Sequence, residues 1–307
     1  MTNEAHVTPL DDQALQRWPL PEASDDADKE DRGRVLIIGG ARSLGGAVYL
    51  AGMAAMRAGA GKVTLATADR FADALVIAFP EARVVGLEET DDAALALCES
   101  LFDTPVDALL IGPGLPATQS VRQLVKQAIV SSRAATIILD AGAMDAVRDL
   151  DFATSRRDAL LLLTPHAGEV AHLLSIDKRE VVGDPIAVAR RSAQTFGVAV
   201  ALKGATTVIA TPEGRCFQHN GGNAGLAVSG SGDVLAGIIA GLVARGATLE
   251  QAAAWGIVVH ARAGDILARR VGRVGFLARE IISEVPAVIE RISKSASPGP
   301  IGFTGGR

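Results

Sequence analysis

Cysteine is nearly absent from this 307-residue chain. Only Cys98 and Cys216 occur, without metal-ligand spacing, so the sequence points to reduced thiols in a cytoplasmic enzyme rather than to a disulfide framework. Aromatic residues make up 4 %, which leaves the core to Ala, Val, Leu and Ile within a 49 % hydrophobic composition. Together with 33 glycines, such a core suits helices packed closely on a parallel sheet. A net charge of −5 with no Lys/Arg cluster leaves no basic footprint for nucleic acid. No stretch approaches about 18 uninterrupted apolar residues, and MTNEAHVTPLDDQ lacks a basic region followed by an apolar one, so neither a membrane span nor a secretory leader is expected.

Several catalytic signatures are missing too. The Gly61-Lys62 pair has Met56 where a Walker A loop needs its first glycine, and Val63 follows the lysine. GGARSLGG (residues 39–46) does not fit the dinucleotide fingerprint GxGxxG. Tyr49, the sole tyrosine, has Met53 four places on, which excludes a Tyr-x-x-x-Lys pair, and no GxSxG elbow exists. His166, Glu169 and His172, spaced by three, drift round a helix by about 60° per step and do not converge on one metal ion.

What is present is an alternation. Short apolar runs at Val35–Ile38, Val63–Ala66, Ala82–Val85, Ala108–Ile111, Thr136–Leu139, Leu160–Leu163 and Val198–Leu202 read as strands buried on both faces. Helical patterns separate them at Gly46–Arg57, Asp92–Leu101, Ser120–Ser131, Glu169–Leu174 and Pro185–Phe196. This predicts an α/β fold with a doubly covered, mostly parallel sheet. After Leu202 the pattern changes to two strands joined by Pro212-Glu213-Gly214, then helices beginning near Asp233, Leu249 and Ala278. Residues 1–33 read as a polar arm, residues 34–292 as one domain, and residues 293–307 as a Gly/Pro/Ser-rich disordered tail.

The unusual residues fall at the carboxyl ends of the strands, where open α/β sheets bind ligands. They are Gly39–Ala47, Gly112–Pro116, Asp140, Thr164-Pro165-His166 and Lys203-Gly204. Gly230-Ser231-Gly232 opens directly into a helix, so its N–H groups form an expected anion hole for phosphate. Asp233, beside that hole, is either a helix cap or a base poised next to a phosphoryl group. The helix dipole is expected to keep it ionised at neutral pH. Gly237 and Gly241 are expected to let the same helix pack closely on the sheet.

The ordered motifs GGARSLGGAVYLAGMAAMRAGAGKVTLAT, LLIGPGL, IILDAGAM, LLTPHAGEVAHLL, ALKGATTVIA, NAGLAVSGSGDVLAGIIAGL and VVHARAGD resemble the ribokinase-like superfamily. Within it they look like the ADP/ATP-dependent NAD(P)H-hydrate dehydratases. The resemblance implies a three-layer α/β/α domain with no separate lid. It also implies a lyase that phosphorylates the S epimer of hydrated NADH or NADPH from ADP or ATP with Mg²⁺, then expels phosphate to restore the cofactor. Carried over, Ala47, Gly114, His166 and Asp233 match substrate contacts, Asp233 being the catalytic acid/base. Lys203, Gly204, Ala205, Thr206, Thr207 and Gly232 match the nucleotide-contacting set. A homo-oligomer, often a tetramer in relatives, and a functional link to a separate epimerase are further implications. Gly142 stands where many relatives carry a second acid, and AREI at residues 278–281 departs from the usual A-S-D-[IL]. The competing reading is a small-molecule kinase of the same fold, which would release a stable phosphorylated alcohol.

Overall fold

The computed structural model describes residues 6–22, 26, 32–89, 95–97, 99–103, 105–149 and 159–294. Its strands are β1 (Thr8–Pro9), β2 (Arg34–Ile38), β3 (Lys62–Ala68), β4 (Arg83–Leu87), β5 (Ala108–Ile111), β6 (Thr136–Leu139), β7 (Leu160–Leu163), β8 (Ala199–Leu202), β9 (Thr206–Ala210) and β10 (Cys216–Asn220). They form one sheet in the order β1-β10-β9-β8-β7-β6-β5-β2-β3-β4. From β4 across to β8 every pairing is parallel, and β9 and β10 turn back as an antiparallel hairpin. The helices are α1 (Asp12–Gln16), α2 (Gly45–Ala58), α3 (Asp69–Ala78), α4 (Gln119–Ser131), α5 (Ala167–Leu174), α6 (Lys178–Gly183), α7 (Pro185–Phe196), α8 (Ser231–Ala244), α9 (Leu249–Arg270) and α10 (Ala278–Lys294).

Alternation along each strand builds the layers. Val35 and Ile37 of β2 face the cluster that also holds the buried residues of α2, α8, α9 and α10. Leu36 and Ile38 face the opposite cluster, under α4, α5 and α7. With both faces covered, the strands can be apolar throughout, and the expected three-layer α/β/α arrangement follows. Helix α8 lies within its layer and is apolar on all sides because it is buried almost all round.

Three local expectations need correction. Helix α3 was not legible, because Val76 and Ile77 are 52 % and 83 % exposed and blur its amphipathic pattern. The helix expected over Asp92–Leu101 is not found where the chain is described: residues 95–97 are not helical and Glu99–Phe102 form a single 3₁₀ turn, while residues 90–94 and 98 lie outside the described residues. Gly237 and Gly241 pack on α2, not on the sheet. A Cβ at either would stand 2.2 Å from the Ala51 carbonyl oxygen or 2.3 Å from that of Ala55.

The stretch expected to be a polar arm carries β1, which pairs in parallel with β10, and α1. Trp18 stacks on Phe217 with ring centroids 5.8 Å apart, and the Trp255 indole donates to the Trp18 carbonyl at 2.8 Å. At the other end α10 runs to Lys294, and residues 295–307 lie outside the described residues, as does Cys98. Among the described residues no helix is long and apolar enough to cross a membrane.

Candidate active site

The strand register brings the unusual residues to one edge. Ile38 pairs with Ile111, Ile111 with Leu139, and Leu139 with Leu163, so the segments after β2, β5, β6 and β7 leave the sheet side by side. A further bridge between His166 and Lys203 adds the end of β8. After β2 the chain runs outward to β3 and β4, then returns to β5 on β2's other side, making a topological switch point between them. Ala47 and Gly114 meet there: Gly114 has φ +72°, and a Cβ on it would sit 3.1 Å from that of Ala47.

Gly230, with φ +89°, turns the chain into α8. Its neighbours are not equivalent as an anion hole. The Ser231 N–H donates to the Val228 carbonyl (3.2 Å), and the Ser231 hydroxyl lies 3.0 Å from His260 Nε2. Gly230 packs against Leu50 and Ala278. Of the expected three-residue hole, the Ser231 N–H is thus engaged, while that of Gly232 belongs to the first helical turn and has no intrahelical carbonyl to reach.

Behind Gly232 lies a charge cluster. Lys203 Nζ donates to Asp140 Oδ1 at 3.0 Å, and the Thr164 hydroxyl donates to the same oxygen at 2.5 Å. That ammonium stands 3.2 Å from where a Gly232 Cβ would be. Burial works against the charged Lys203, but Asp140, Glu169 and Asp233 outweigh it and hold its pKa above the ordinary lysine value. Asp233 behaves opposite to the sequence expectation. Burial, then the facing Asp140 carboxylate, pushes it up to about 7, with Lys203 and its own backbone N–H pulling the other way. The dipole that favours ionisation is real, but desolvation and like charge win. Burial likewise holds His260 at about 4, so it is neutral.

His166 has a structural task. It caps α5, its Nδ1 accepting from the N–H groups of Gly168 (3.0 Å) and Glu169 (3.1 Å), while Glu169 Oε2 accepts from the His166 N–H (2.8 Å). An accepting Nδ1 assigns the proton to Nε2. His172 is directed elsewhere, 3.2 Å from Asp145. Replacing His166 by Ala should cost about 1 kcal/mol of stability, whereas Asn, a good cap, should restore it without restoring the ring N–H. Thermal melts of the two variants, compared with their substrate KM, separate the cap from any ligand contact.

A cavity of about 780 Å³ opens beside this cluster. His166, Lys203, Gly204, Ala205, Thr207 and Gly232 line it, so most of the expected nucleotide set comes together. Thr206 does not line it, and its hydroxyl donates to Asn220 Oδ1 at 2.9 Å. Ala47 and Gly114 lie off the cavity at the switch point, and Asp233 is not in its wall either. The link between the two regions is Asp140, whose carbonyl oxygen would lie 1.8 Å from a Cβ on Gly112 in the loop leading to Gly114. Sequence reasoning assigned no role to His219, Asn223 or His260, which also line the wall. Asn223 could have been read as a cap before Ala-Gly-Leu, and it does accept from the Gly225 N–H at 3.0 Å.

The sequence profile of the NAD(P)H-hydrate dehydratase family matches residues 35–287. The chain is 46 % identical over 288 residues to the ADP-dependent (S)-NAD(P)H-hydrate dehydratase of Xanthomonas campestris, covering 92 % of this chain and 96 % of that one. It is 36 % identical to the bifunctional NAD(P)H-hydrate repair enzyme Nnr of Moorella thermoacetica, covering 91 % of this chain but 53 % of that longer protein. Among solved structures, the ADP/ATP-dependent NAD(P)H-hydrate dehydratase of Bacillus subtilis co-crystallised with ATP/Mg²⁺ superposes with a TM-score of 0.83 at 29 % identity, covering 95 % of this chain and 100 % of that one. A sheet-edge crevice walled by Lys203 and Gly232, in a chain matched by that profile over most of its length, belongs to a member of the NAD(P)H-hydrate dehydratase family.

Proposed function

We propose that this chain restores NADH and NADPH in the cytoplasm by nucleotide-dependent dehydration of the S epimer of their hydrated forms. ADP or ATP is the phosphoryl donor. The observation that carries the reading is the placement of Lys203 and Asp140 between a cavity of about 780 Å³ and the switch-point loops, with Asp233 facing both. The nucleotide occupies the cavity with its phosphates at Gly232 and Lys203. The hydrated ring lies toward Ala47 and Gly114, with His166 Nε2–H at the border.

Asp233 takes the proton of the ring hydroxyl as its oxygen attacks the terminal phosphorus. The bond from that phosphorus to the bridging oxygen breaks, releasing AMP from ADP or ADP from ATP. Lys203 and the Gly232 N–H stabilise charge on the transferring group. The ring nitrogen lone pair then expels phosphate by breaking the C–O bond, and loss of a neighbouring ring proton from the resulting iminium regenerates the reduced nicotinamide. A base with a pKa of about 7 is matched to neutral pH.

Among the described residues no group of three or more His, Cys, Asp or Glu side chains could hold a metal ion. The side chains therefore do not form a cage for Mg²⁺. The ion would come with the nucleotide, where it supplies neutralisation of phosphate charge. Only the S epimer offers its hydroxyl in this chemistry, so an epimerase acting on the R form is the partner activity. A homo-oligomeric assembly is part of the same proposal.

Incubation with hydrated NADH and either ADP or ATP should restore reduced-nicotinamide absorbance with stoichiometric phosphate release. No recovery with either nucleotide, alongside formation of a stable phosphorylated alcohol, would replace the dehydratase with a kinase. In the same assay kcat/KM should rise with pH through about 7 as Asp233 loses its proton. A flat profile there would remove Asp233 as the base.

A further inference from the structure

We propose that Asp140 is a positioning residue of this site: with Thr164 it fixes the Lys203 ammonium beside Gly232, and its own charge faces Asp233. The proposal rests on the assignment of the phosphates to Gly232 and of the base to Asp233.

Asp140 directly follows β6 and is 3 % exposed, and Thr164, directly after β7, is fully buried. One oxygen, Asp140 Oδ1, accepts from both Lys203 Nζ and the Thr164 hydroxyl. Three neighbouring strand ends thus converge on a single acceptor. A buried carboxylate so close to a ligand crevice costs free energy unless paired, and here the pair fixes a side chain that is otherwise four flexible methylenes long.

The consequence lies in where the ammonium would go without it. Lys203 has two other acids in reach, Glu169 from the first turn of α5 and Asp233 from the first turn of α8. Two further titratable groups stand nearby among the described residues: His166, whose Nδ1 accepts as the cap of α5, and His260 of α9, which burial keeps neutral. Freed from Asp140, Lys203 would turn toward Glu169 or Asp233. Either move takes the cation from its place beside Gly232. Asp140 holds it there, and the negative charge of Asp140, second only to burial, keeps Asp233 proton-hungry.

The test uses the purified full chain with hydrated NADH and ADP. Asp140→Asn should raise the KM for ADP, and weaken ADP binding in titration calorimetry, by roughly 10- to 100-fold. It should also move the acid limb of the kcat/KM profile to lower pH, because the carboxylate charge that raises Asp233 is gone. Asp140→Glu, which keeps the charge, should return the limb toward its original position. A merely structural role would lower the melting temperature without moving the limb. If Asp140→Asn does not fold, Thr164→Val carries the test: a raised ADP KM with a smaller change in kcat supports the proposal, and an unchanged KM overturns it. A folded Asp140→Asn with unaltered ADP affinity and an unmoved limb also overturns it. Asp233→Asn, measured in parallel, keeps the two ideas separate. Retained turnover there defeats the base assignment itself, whereas loss of turnover there beside a silent Asp140→Asn defeats only the positioning role.

Discussion

Replacing Asp233 by Asn should lower turnover by about 10²- to 10⁴-fold, the usual worth of a positioned general base, while ADP affinity changes little. The amide keeps the shape of the side chain and its place in the first turn of α8, but cannot accept the hydroxyl proton. The same variant should be more stable than the parent at high pH. Wild-type Asp233 has a folded pKa of about 7 against an ordinary value of 3.8, so the folded state prefers its protonated form. That preference supports the fold fully below the ordinary value and is lost as pH rises toward 7; above it the ionised carboxylate is a standing cost. Asn removes the cost. Melting temperatures measured across this window should therefore diverge as pH rises and converge as it falls. Equal melting temperatures at every pH would mean that Asp233 is solvated, and near-normal turnover would remove it from the chemistry.

The second large effect is expected from packing alone. Gly237→Ala and Gly241→Ala should each destabilise the protein by about 1–3 kcal/mol, because the new methyl meets a main-chain oxygen of α2 at 2.2 or 2.3 Å. A carbonyl in a helix cannot rotate away as a flexible side chain would, so α2 must shift bodily. It carries Ala47 near its start, and the preceding loop packs against Gly114, so the shift should also raise the KM for the hydrated cofactor. Denaturant unfolding with parallel kinetics checks both. An unchanged midpoint in either variant would show that the two helices can separate at little cost.

These expectations divide by what a sequence can show. Val35–Ile38 and Thr136–Leu139 were legible as strands because burial on both faces leaves them no polar position but Thr136. The loop-to-helix transition at Gly230 was legible because glycine and a following apolar helix mark it locally. The spacing of Gly237 and Gly241 announced a close approach, but not to which partner. Helix α3 escaped because its apolar residues also cover its solvent face. At the site, the helix dipole acting on Asp233 can be read from position alone, whereas the opposing effect comes first from burial and then from Asp140, 93 positions earlier in the chain. Through-space repulsion and loss of water have no local signature. The same holds for Lys203, whose pairing with Asp140 depends on two strand ends that the fold brings together.

The pairing of β1 with β10 has a consequence for how the chain reaches its native state. Leu10 is held by His219, which lies 209 positions later and donates its Nδ1–H to the Leu10 carbonyl. During synthesis residues 8–10 must wait, unpaired, until β10 has emerged. Closing so long a loop is entropically slow, so this seam at the margin of the sheet should zip last on folding and open first on heating. Since His219 also walls the cavity proposed for the nucleotide, ADP should protect the amides of residues 8–10 against hydrogen exchange from a distance.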